Sequence, residues 1–213
     1  MTIPILAVVS GSAAFIPPGV GLLRFTRQSL AMKVFVAACV LSCLEIWVEY
    51  ILALNHTNNL FIANYGLAFE VLSTAGVYVL ALEGRRVRRL LLAIAAVFLV
   101  IWTLDKIFWD VQGQMNEEMG IASRFFIIGL SIIALHTVAR RTTGFLTDEP
   151  LFWITSANIL LSTGVTFLLG MSNELMQLGT DYFTAAWNIN WSLEIVGYLM
   201  FAKGFLCTVT PQT

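Results

Sequence analysis

Seven apolar stretches of similar length follow one another along the chain, separated by short polar connectors. Each is close to the roughly 20 residues that an α-helix needs to cross the hydrocarbon core of a bilayer. The pattern predicts seven transmembrane helices, and the short connectors make consecutive helices antiparallel neighbours. We place these helices at Ile3–Leu23, Ala31–Leu54, Leu60–Leu82, Leu90–Trp109, Met119–Ala139, Leu151–Gly170 and Tyr182–Phe205.

The composition agrees with an all-α integral membrane protein. Of the 213 residues, 58% are hydrophobic and only 12% are charged, whereas roughly a quarter of the residues of a soluble domain are charged. Almost nothing lies outside the seven stretches, so we expect one domain whose chemistry takes place within the helical bundle or at its rims. The first stretch lacks the positively charged segment of a cleaved signal peptide, so we expect it to be the first helix.

The basic residues are distributed unevenly between the two sides of the predicted bundle. Because cytoplasmic loops of membrane proteins are enriched in lysine and arginine, this asymmetry predicts an external N-terminus and a cytoplasmic C-terminus. Ten of the twelve basic residues fall on the predicted cytoplasmic side: Arg24, Arg27, Lys33, Arg85, Arg86, Arg88, Arg89, Arg140, Arg141 and Lys203.

The arginines of the third and fifth connectors permit more than one interpretation. Their role in orienting the chain and contacting anionic lipid headgroups explains them without a dedicated function. We therefore expect the lipid bilayer as their partner and expect no nucleic acid. If the protein signals through a separate chain, that cytoplasmic partner would dock on Arg85, Arg86, Arg88, Arg89, Arg140 and Arg141.

Four glutamates lie within the predicted helices, where charged residues are expensive and usually mark function. Glu45 and Glu49 fall in the outer half of the second helix and, being four residues apart, share a face. Glu70 and Glu194 fall near the middle of the third and seventh helices. Together they predict an acidic cavity that faces the exterior; the alternative is that these carboxylates only join helices.

Amides and tryptophans follow the same bias toward the outer half. Tryptophan rings beside carboxylates suit a cation, a sugar or a flat ligand, although part of the set fits an aromatic belt at the headgroups. We expect the cavity to be lined also by Asn64, Asn188, Asn190, Trp47, Trp187 and Trp191, with Asp105, Lys106 and Arg124 at its outer rim.

A faint internal repeat links the third and seventh helices. Asn64 and Glu70 are six residues apart, as are Asn188 and Glu194. This match predicts two parallel three-helix units, residues 1–82 and 119–205, joined by the helix at 90–109. Parallel repeats of this kind occur in transporters, with binding sites between the repeats.

Three resemblances add to this picture. The three-plus-one-plus-three layout resembles that of PQ-loop and sugar-efflux transporters, in architecture only, because Pro-Gln occurs solely at Pro211-Gln212 in the tail. The topology is similar to that of microbial rhodopsins, but Ile189–Glu194 offers no lysine for retinal, so we expect no cofactor. Asn59–Leu82 and Leu151–Phe205 resemble small uncharacterised bacterial seven-helix membrane proteins, which implies the bacterial inner membrane.

These features favour a small transporter that binds a proton, a cation or a small polar or aromatic ligand in the cavity. The alternative is a ligand-binding receptor or sensor that signals through a separate partner. The third hypothesis is an intramembrane enzyme that uses its carboxylates as acid and base, for which no nucleophile motif is present. His56 and His136 lie too far apart in depth to share a metal, so we expect no metal site.

Overall fold

The computed structural model of the protein describes residues 4–108 and 116–207. Its regular structure there is helical, with single 3-10 turns at Phe25–Arg27 and Leu146–Asp148 between longer helices. The α-helices are α1 (Ile5–Ala13), α2 (Ile16–Leu23), α3 (Leu30–Leu54), α4 (Leu60–Ala81), α5 (Arg85–Phe108), α6 (Glu117–Arg141), α7 (Pro150–Gly170), α8 (Ser172–Leu178) and α9 (Thr180–Leu206).

Six segments of the described chain are long and apolar enough to cross a membrane: α1 together with α2, and each helix from α3 to α7. Helix α9 is 27 residues long. It falls outside this set because polar residues, among them Asn188, Asn190, Glu194 and Lys203, lower its mean hydropathy. The short helix α8, which connects α7 to α9, has no counterpart in the predicted elements.

Most predicted helix ends agree with the structure to within two residues, and one differs clearly. Helix α5 begins at Arg85 and not at Leu90, so the four arginines occupy its first turns and not a connector. Arginine is a good helix former, and its long side chain carries the charge away from the apolar part of the helix. Ile3 and Trp109, two of the predicted ends, lie outside the described residues.

The first span is broken between α1 and α2, at Ala14 and Phe15. Pro17 and Pro18 follow the break and have no backbone N–H, so the carbonyl groups four residues earlier lose their helical partners. The free carbonyl oxygen of Ala14 accepts a hydrogen bond from the Sγ of Cys43 at 2.8 Å, which ties the break to α3.

Six helical segments form a ring around the centre of the molecule. The order around the ring is α1–α2, α3, α4, α6, α7 and α9, and α9 closes it by packing on α1 and α2. Helix α5 lies outside the ring, against α4 and α6. The helix that joins the two halves of the chain is therefore peripheral.

The surface and the interior of the bundle reverse the usual pattern of a soluble protein. Large aliphatic and aromatic side chains are exposed along the helices; Leu92 and Val100 of α5, for example, are 54% and 58% exposed. Polar residues such as Ser123, Ser131 and Thr155 are fully buried. Exposed apolar surface of this extent needs a lipid environment, which agrees with an integral membrane protein.

One end of the bundle, here called the arginine end, is defined by Arg24, Arg88 and Arg141. Arg24 donates to the backbone oxygen of Leu206 at 2.9 Å, and Arg88 Nε donates to that of Leu82 at 2.8 Å. Arg141 donates to the backbone oxygen of Ala81 at 3.3 Å. These contacts bring the ends of α2, α4, α6 and α9 together and satisfy carbonyl groups that helix ends leave free.

Candidate functional site

A cavity of about 420 Å³ lies inside the ring. Most of its wall comes from the C-terminal halves of α3 and α7 and the N-terminal halves of α4, α6 and α9, away from the arginine end. In the described part of the chain, α5 contributes no residue to it. The polar residues on the wall include Ser42, Glu45, Glu49, Asn64, Glu70, Ser73, Thr74, Asn116, Arg124, Asn158, Trp187, Asn190, Glu194 and Tyr198.

Glu70 of α4 and Arg124 of α6 form an ion pair on the cavity wall, in which Arg124 Nη1 donates to Glu70 Oε1. The arginine side chain is 16% exposed and the glutamate side chain 40%. Arg124, which the sequence placed at the outer rim, lies on the cavity wall beside Glu70. Because α6 begins at Glu117, Arg124 lies two turns inside the helix, about 10 Å from its start.

Glu194 of α9 is held by two neutral donors. Ser10 of α1 donates to its Oε2 at 2.5 Å, and Asn190 donates through Nδ2 to its Oε1 at 2.8 Å. Asn190 lies one turn earlier on the same helix face, whereas Ser10 lies across the contact between α1 and α9. The carboxylate of Glu194 therefore links the first and last helices of the ring.

Glu45 and Glu49 differ from the other two glutamates. Within the residues that the structure describes, neither carboxylate has a hydrogen-bond or ion-pair partner, although both lie on the cavity wall. The Glu45 carboxyl group lies so close to Gly66 of α4 that a β-carbon at that position would clash with it. The absence of a side chain at Gly66 therefore makes room for the Glu45 carboxyl group between α3 and α4.

Two buried hydrogen-bond donors on the wall have no acceptor in the described structure. They are Arg124 Nε and Trp187 Nε1. Buried N–H groups of proteins are nearly always satisfied, and an unsatisfied one costs about 1–3 kcal/mol. Both nitrogen atoms belong to residues that line the cavity but are themselves out of reach of a molecule inside it.

Aromatic packing closes the cavity toward the arginine end. The rings of Phe35 and Phe201 meet edge to face, with centroids 5.1 Å apart, and both line the cavity. Phe205 packs behind Phe35 at 5.4 Å. Beyond this layer the core is filled by fully buried side chains such as Val36 and Leu82.

Several predicted site residues do not line the cavity. Trp47 is 38% exposed and packs between Phe15 and Tyr50, with ring centroids 5.8 Å and 6.0 Å away. Asn188 and Trp191 are also absent from the wall. For Asn188 the reason is geometric, since it lies on a different face of α9 from Asn190 and Glu194, which line the cavity.

The remaining tryptophan and the two rim residues support the wall from behind or from the side. Trp191 stacks against Trp187, its centroid 5.9 Å away. Asp105 Oδ2 accepts a hydrogen bond from Asn116 Nδ2 at 2.6 Å, and Asn116 lies on the cavity wall. Lys106 lies over the Trp102 ring at 5.9 Å.

Sequence reasoning missed several residues of the site. Ser10 and Gly66 carry no signal of their own, because a serine or glycine in an apolar helix is common. Asn158 lines the cavity and donates to the hydroxyl of Tyr78 at 2.9 Å, and that hydroxyl also contacts Ser131 Oγ at 2.9 Å. This buried network joins α4, α6 and α7 beneath the cavity.

The chain offers little else on which to base a function. Among the described residues, no three histidine, cysteine, aspartate or glutamate side chains are placed so that they could hold a metal ion. The chain was compared with protein-family models, with curated proteins and with solved structures, and none of the three comparisons gave a match. The chemistry of the cavity is therefore the basis for assigning a function.

Proposed function

We propose that the protein is a small membrane transporter that binds a small cation, or a proton, in the central cavity. One observation carries the proposal: four glutamates from α3, α4 and α9 line one cavity whose described wall holds a single arginine. A carboxylate in low-dielectric surroundings is stable only when it is paired, hydrogen-bonded or protonated. The cavity therefore favours positive charge.

The four carboxylates differ in the partners that balance their negative charge, and this difference indicates where a cation binds. Glu70 has the guanidinium of Arg124, and Glu194 has two neutral donors. Glu45 and Glu49, one turn apart on α3, have no such partner in the described structure. These two are the binding site for the positive charge, and Trp187 supplies an aromatic surface on the wall.

The uneven distribution of lysine and arginine between the two ends of the bundle supports an orientation in the membrane for this transporter. We propose that α9 is the seventh span, that the N-terminus is outside, and that the arginine end is cytoplasmic. The cavity then opens to the exterior and the Phe35–Phe201 layer separates it from the cytoplasm. The resemblance of Asn59–Leu82 and Leu151–Phe205 to bacterial proteins supports the inner membrane as the location.

The order of helices in the ring supports transport by movement of two units, α1–α4 and α6–α9. Glu70 on the last helix of one unit pairs with Arg124 on the first helix of the other. Glu194 on the last helix of the second unit bonds Ser10 on the first helix of the first unit. Rocking of one unit against the other, as in repeat-built transporters, would change both contacts at once.

The test is uptake of a permanently charged probe, N,N,N-trimethylphenethylammonium, by liposomes that contain the purified protein. We expect wild-type uptake above that of empty liposomes. In the double variant Glu45→Gln/Glu49→Gln, uptake should fall at least tenfold, since removing the counter-charge of a buried ion costs about 3–5 kcal/mol. The matched control, Glu118→Gln, changes an exposed glutamate in the first turn of α6 and should keep wild-type uptake.

Two outcomes would contradict the proposal in different ways. Saturable binding of the probe without uptake would favour the sensor hypothesis, with a separate signalling chain docked on the arginine end. Uptake that is equal in the wild type and the double variant would show that Glu45 and Glu49 do not bind the cation.

A further inference from the structure

A strongly charged surface lies at the arginine end, where α5 begins and α6 ends. The two connectors beside it carry three acidic residues, Glu83, Asp148 and Glu149. In the described structure only Glu149 contacts one of its arginines, Arg141, at 3.8 Å. Its positive charge is therefore mostly unpaired within the protein. This surface, here called the arginine patch, consists of six exposed residues: Arg85, Arg86, Arg88, Arg89, Arg140 and Arg141.

Two guanidinium groups of the patch are held side by side on one loop. Arg88 Nε donates to the backbone oxygen of Leu82 at 2.8 Å, and Arg141 Nη1 donates to that of Ala81 at 3.3 Å. Ala81 and Leu82 are consecutive, with Cα atoms about 3.8 Å apart, so a group from α5 and a group from α6 meet there. The Arg141 side chain is 35% exposed. A guanidinium group has several donors, so both groups keep N–H donors that an anion can reach.

Helices α5 and α6 differ in how their charges match the helix dipole. The first turn of α6 contains Glu117 and Glu118 and its last turn contains Arg140 and Arg141, which is the stabilising arrangement. Helix α5 has the opposite arrangement, with arginines at its start and no acidic residue in its first turn. An anion bound to the patch would offset the repulsion that this arrangement creates.

The exposed surface below the patch is apolar. Leu92 and Leu99 follow Arg88 by four and eleven residues and lie on the same face of α5. They are 54% and 41% exposed, and α5 lies outside the ring of helices. Positive charge at the end of the bundle with an apolar stripe beneath it matches a phospholipid, in which a phosphate lies above acyl chains. Basic pockets between transmembrane helices are known to bind anionic headgroups.

We infer that the arginine patch binds an anionic phospholipid, whose phosphate contacts the guanidinium groups of Arg88 and Arg141 and whose acyl chains lie along α5. The bound lipid connects the peripheral helix α5 to α6 of the ring. The inference does not depend on the proposed cation site, because the patch and the cavity share no residue.

The test measures lipid binding to the full chain in a neutral detergent by native mass spectrometry. Dioleoylphosphatidylglycerol is the anionic probe, and dioleoylphosphatidylcholine, with the same acyl chains and no net charge, is the matched neutral probe. We expect the first phosphatidylglycerol to bind at least tenfold more tightly than the first phosphatidylcholine, since each arginine near an anionic headgroup contributes roughly fivefold. Millimolar inorganic phosphate should not displace the lipid, because phosphate has no acyl chains.

A double variant and its matched control locate the site. Arg88→Gln/Arg141→Gln removes both fixed guanidinium groups and should weaken phosphatidylglycerol binding at least tenfold. The control, Arg24→Gln/Arg27→Gln, removes the same charge from the same end of the bundle. It also breaks one bond to a helix-end carbonyl, that of Leu206, and should leave the affinity within twofold of the wild type.

A second variant provides the answer if Arg88→Gln/Arg141→Gln does not fold. In the described structure the side chains of Arg85 and Arg89 have no hydrogen-bond or ion-pair partner. The variant Arg85→Gln/Arg89→Gln therefore leaves the contacts of the protein intact. It should weaken phosphatidylglycerol binding several-fold.

Three outcomes would overturn the inference. Equal affinity for the two lipids would leave the patch to a protein partner. Displacement of phosphatidylglycerol by inorganic phosphate would make a free anion the ligand. Equal weakening by the double variant and its control would mean that the lipid responds only to the total charge of the arginine end. None of these results bears on trimethylphenethylammonium uptake, so the proposed function is tested separately.

Discussion

The two halves of the bundle differ in what fills the space between their helices. The half toward the arginine end is solid: Val36, Tyr78, Leu82 and Phe205 are all at most 1% exposed. The other half holds a cavity of about 420 Å³ with four glutamates on its wall. The same helices run through both halves, so the difference arises from the side chains that each helix presents to the ring at each depth.

This difference shows how a small helical protein can stabilise buried charge. The solid half contributes close packing, and in lipid such packing is a main source of helix association because the apolar surface is already out of water. That contribution allows the other half to keep carboxylates, such as those of Glu45 and Glu49, that lack a protein partner. In the proposed transport cycle, the Phe35–Phe201 contact is the barrier that has to open.

The largest expected effect comes from weakening the solid half. Phe205→Ala removes a fully buried ring that packs on Phe35, and large-to-small changes of this kind cost about 3–5 kcal/mol. We expect a clear decrease in the thermal unfolding temperature in detergent. Phe145→Ala, which changes a 79% exposed ring in the α6–α7 connector, is the control and should change that temperature little. Similar decreases in both variants would contradict a solid half.

A smaller effect is expected in the charged half. Glu70→Gln leaves Arg124 without its counter-charge, and we expect a loss of about 1–3 kcal/mol in unfolding free energy. The double variant Glu70→Gln/Arg124→Gln should recover part of this loss. The control is Glu149→Gln, which breaks a looser pair with Arg141 at 3.8 Å and should cost about 0–1 kcal/mol. Equal costs for the two single variants would mean that the Glu70 pair is an ordinary surface contact.

The smallest expected effect concerns the position of one carboxyl group. Gly66→Ala places a β-carbon where the Glu45 carboxyl group lies, so that flexible side chain should move and the affinity for phenethylamine should change by a few-fold. Gly76→Ala, on the same helix with open space around it, should leave affinity unchanged and raise stability by about 0.4–1 kcal/mol. Unchanged affinity in both variants would separate Glu45 from the ligand.

Much of the fold was predictable because apolar length and the bilayer thickness constrain each helix directly. Glu45, Glu49, Glu70 and Glu194, which the sequence grouped by predicted depth, all line one cavity in the structure. Which helices meet was not predictable: Ser10 and Glu194 are 184 positions apart, and no local pattern links them.

Some predicted residues do not line the cavity because the depth of a residue does not determine which side of its helix it lies on. Depth alone grouped Trp47 and Asn188 with the glutamates, but each lies on a face of its helix that turns away from the ring centre. Arg124 shows the opposite case, since its face of α6 turns toward the cavity and it pairs there with Glu70.

The most direct test of a one-sided, charged cavity is labelling of single cysteines by a membrane-impermeant cationic thiol reagent. Cys39, Cys43 and Cys207 are first replaced by alanine or serine. Ser42→Cys then reports on the cavity wall, and the matched Ser131→Cys reports on the buried network in α6. Both changes replace a hydroxyl group with a thiol.

In sealed vesicles with the N-terminus outside, we predict that Ser42→Cys is labelled from the outside, that millimolar phenethylamine slows its labelling, and that Ser131→Cys is not labelled from either side. Labelling of Ser42→Cys only from the arginine end, or equal labelling of the two cysteines, would contradict a cavity that is wet on one side and sealed on the other.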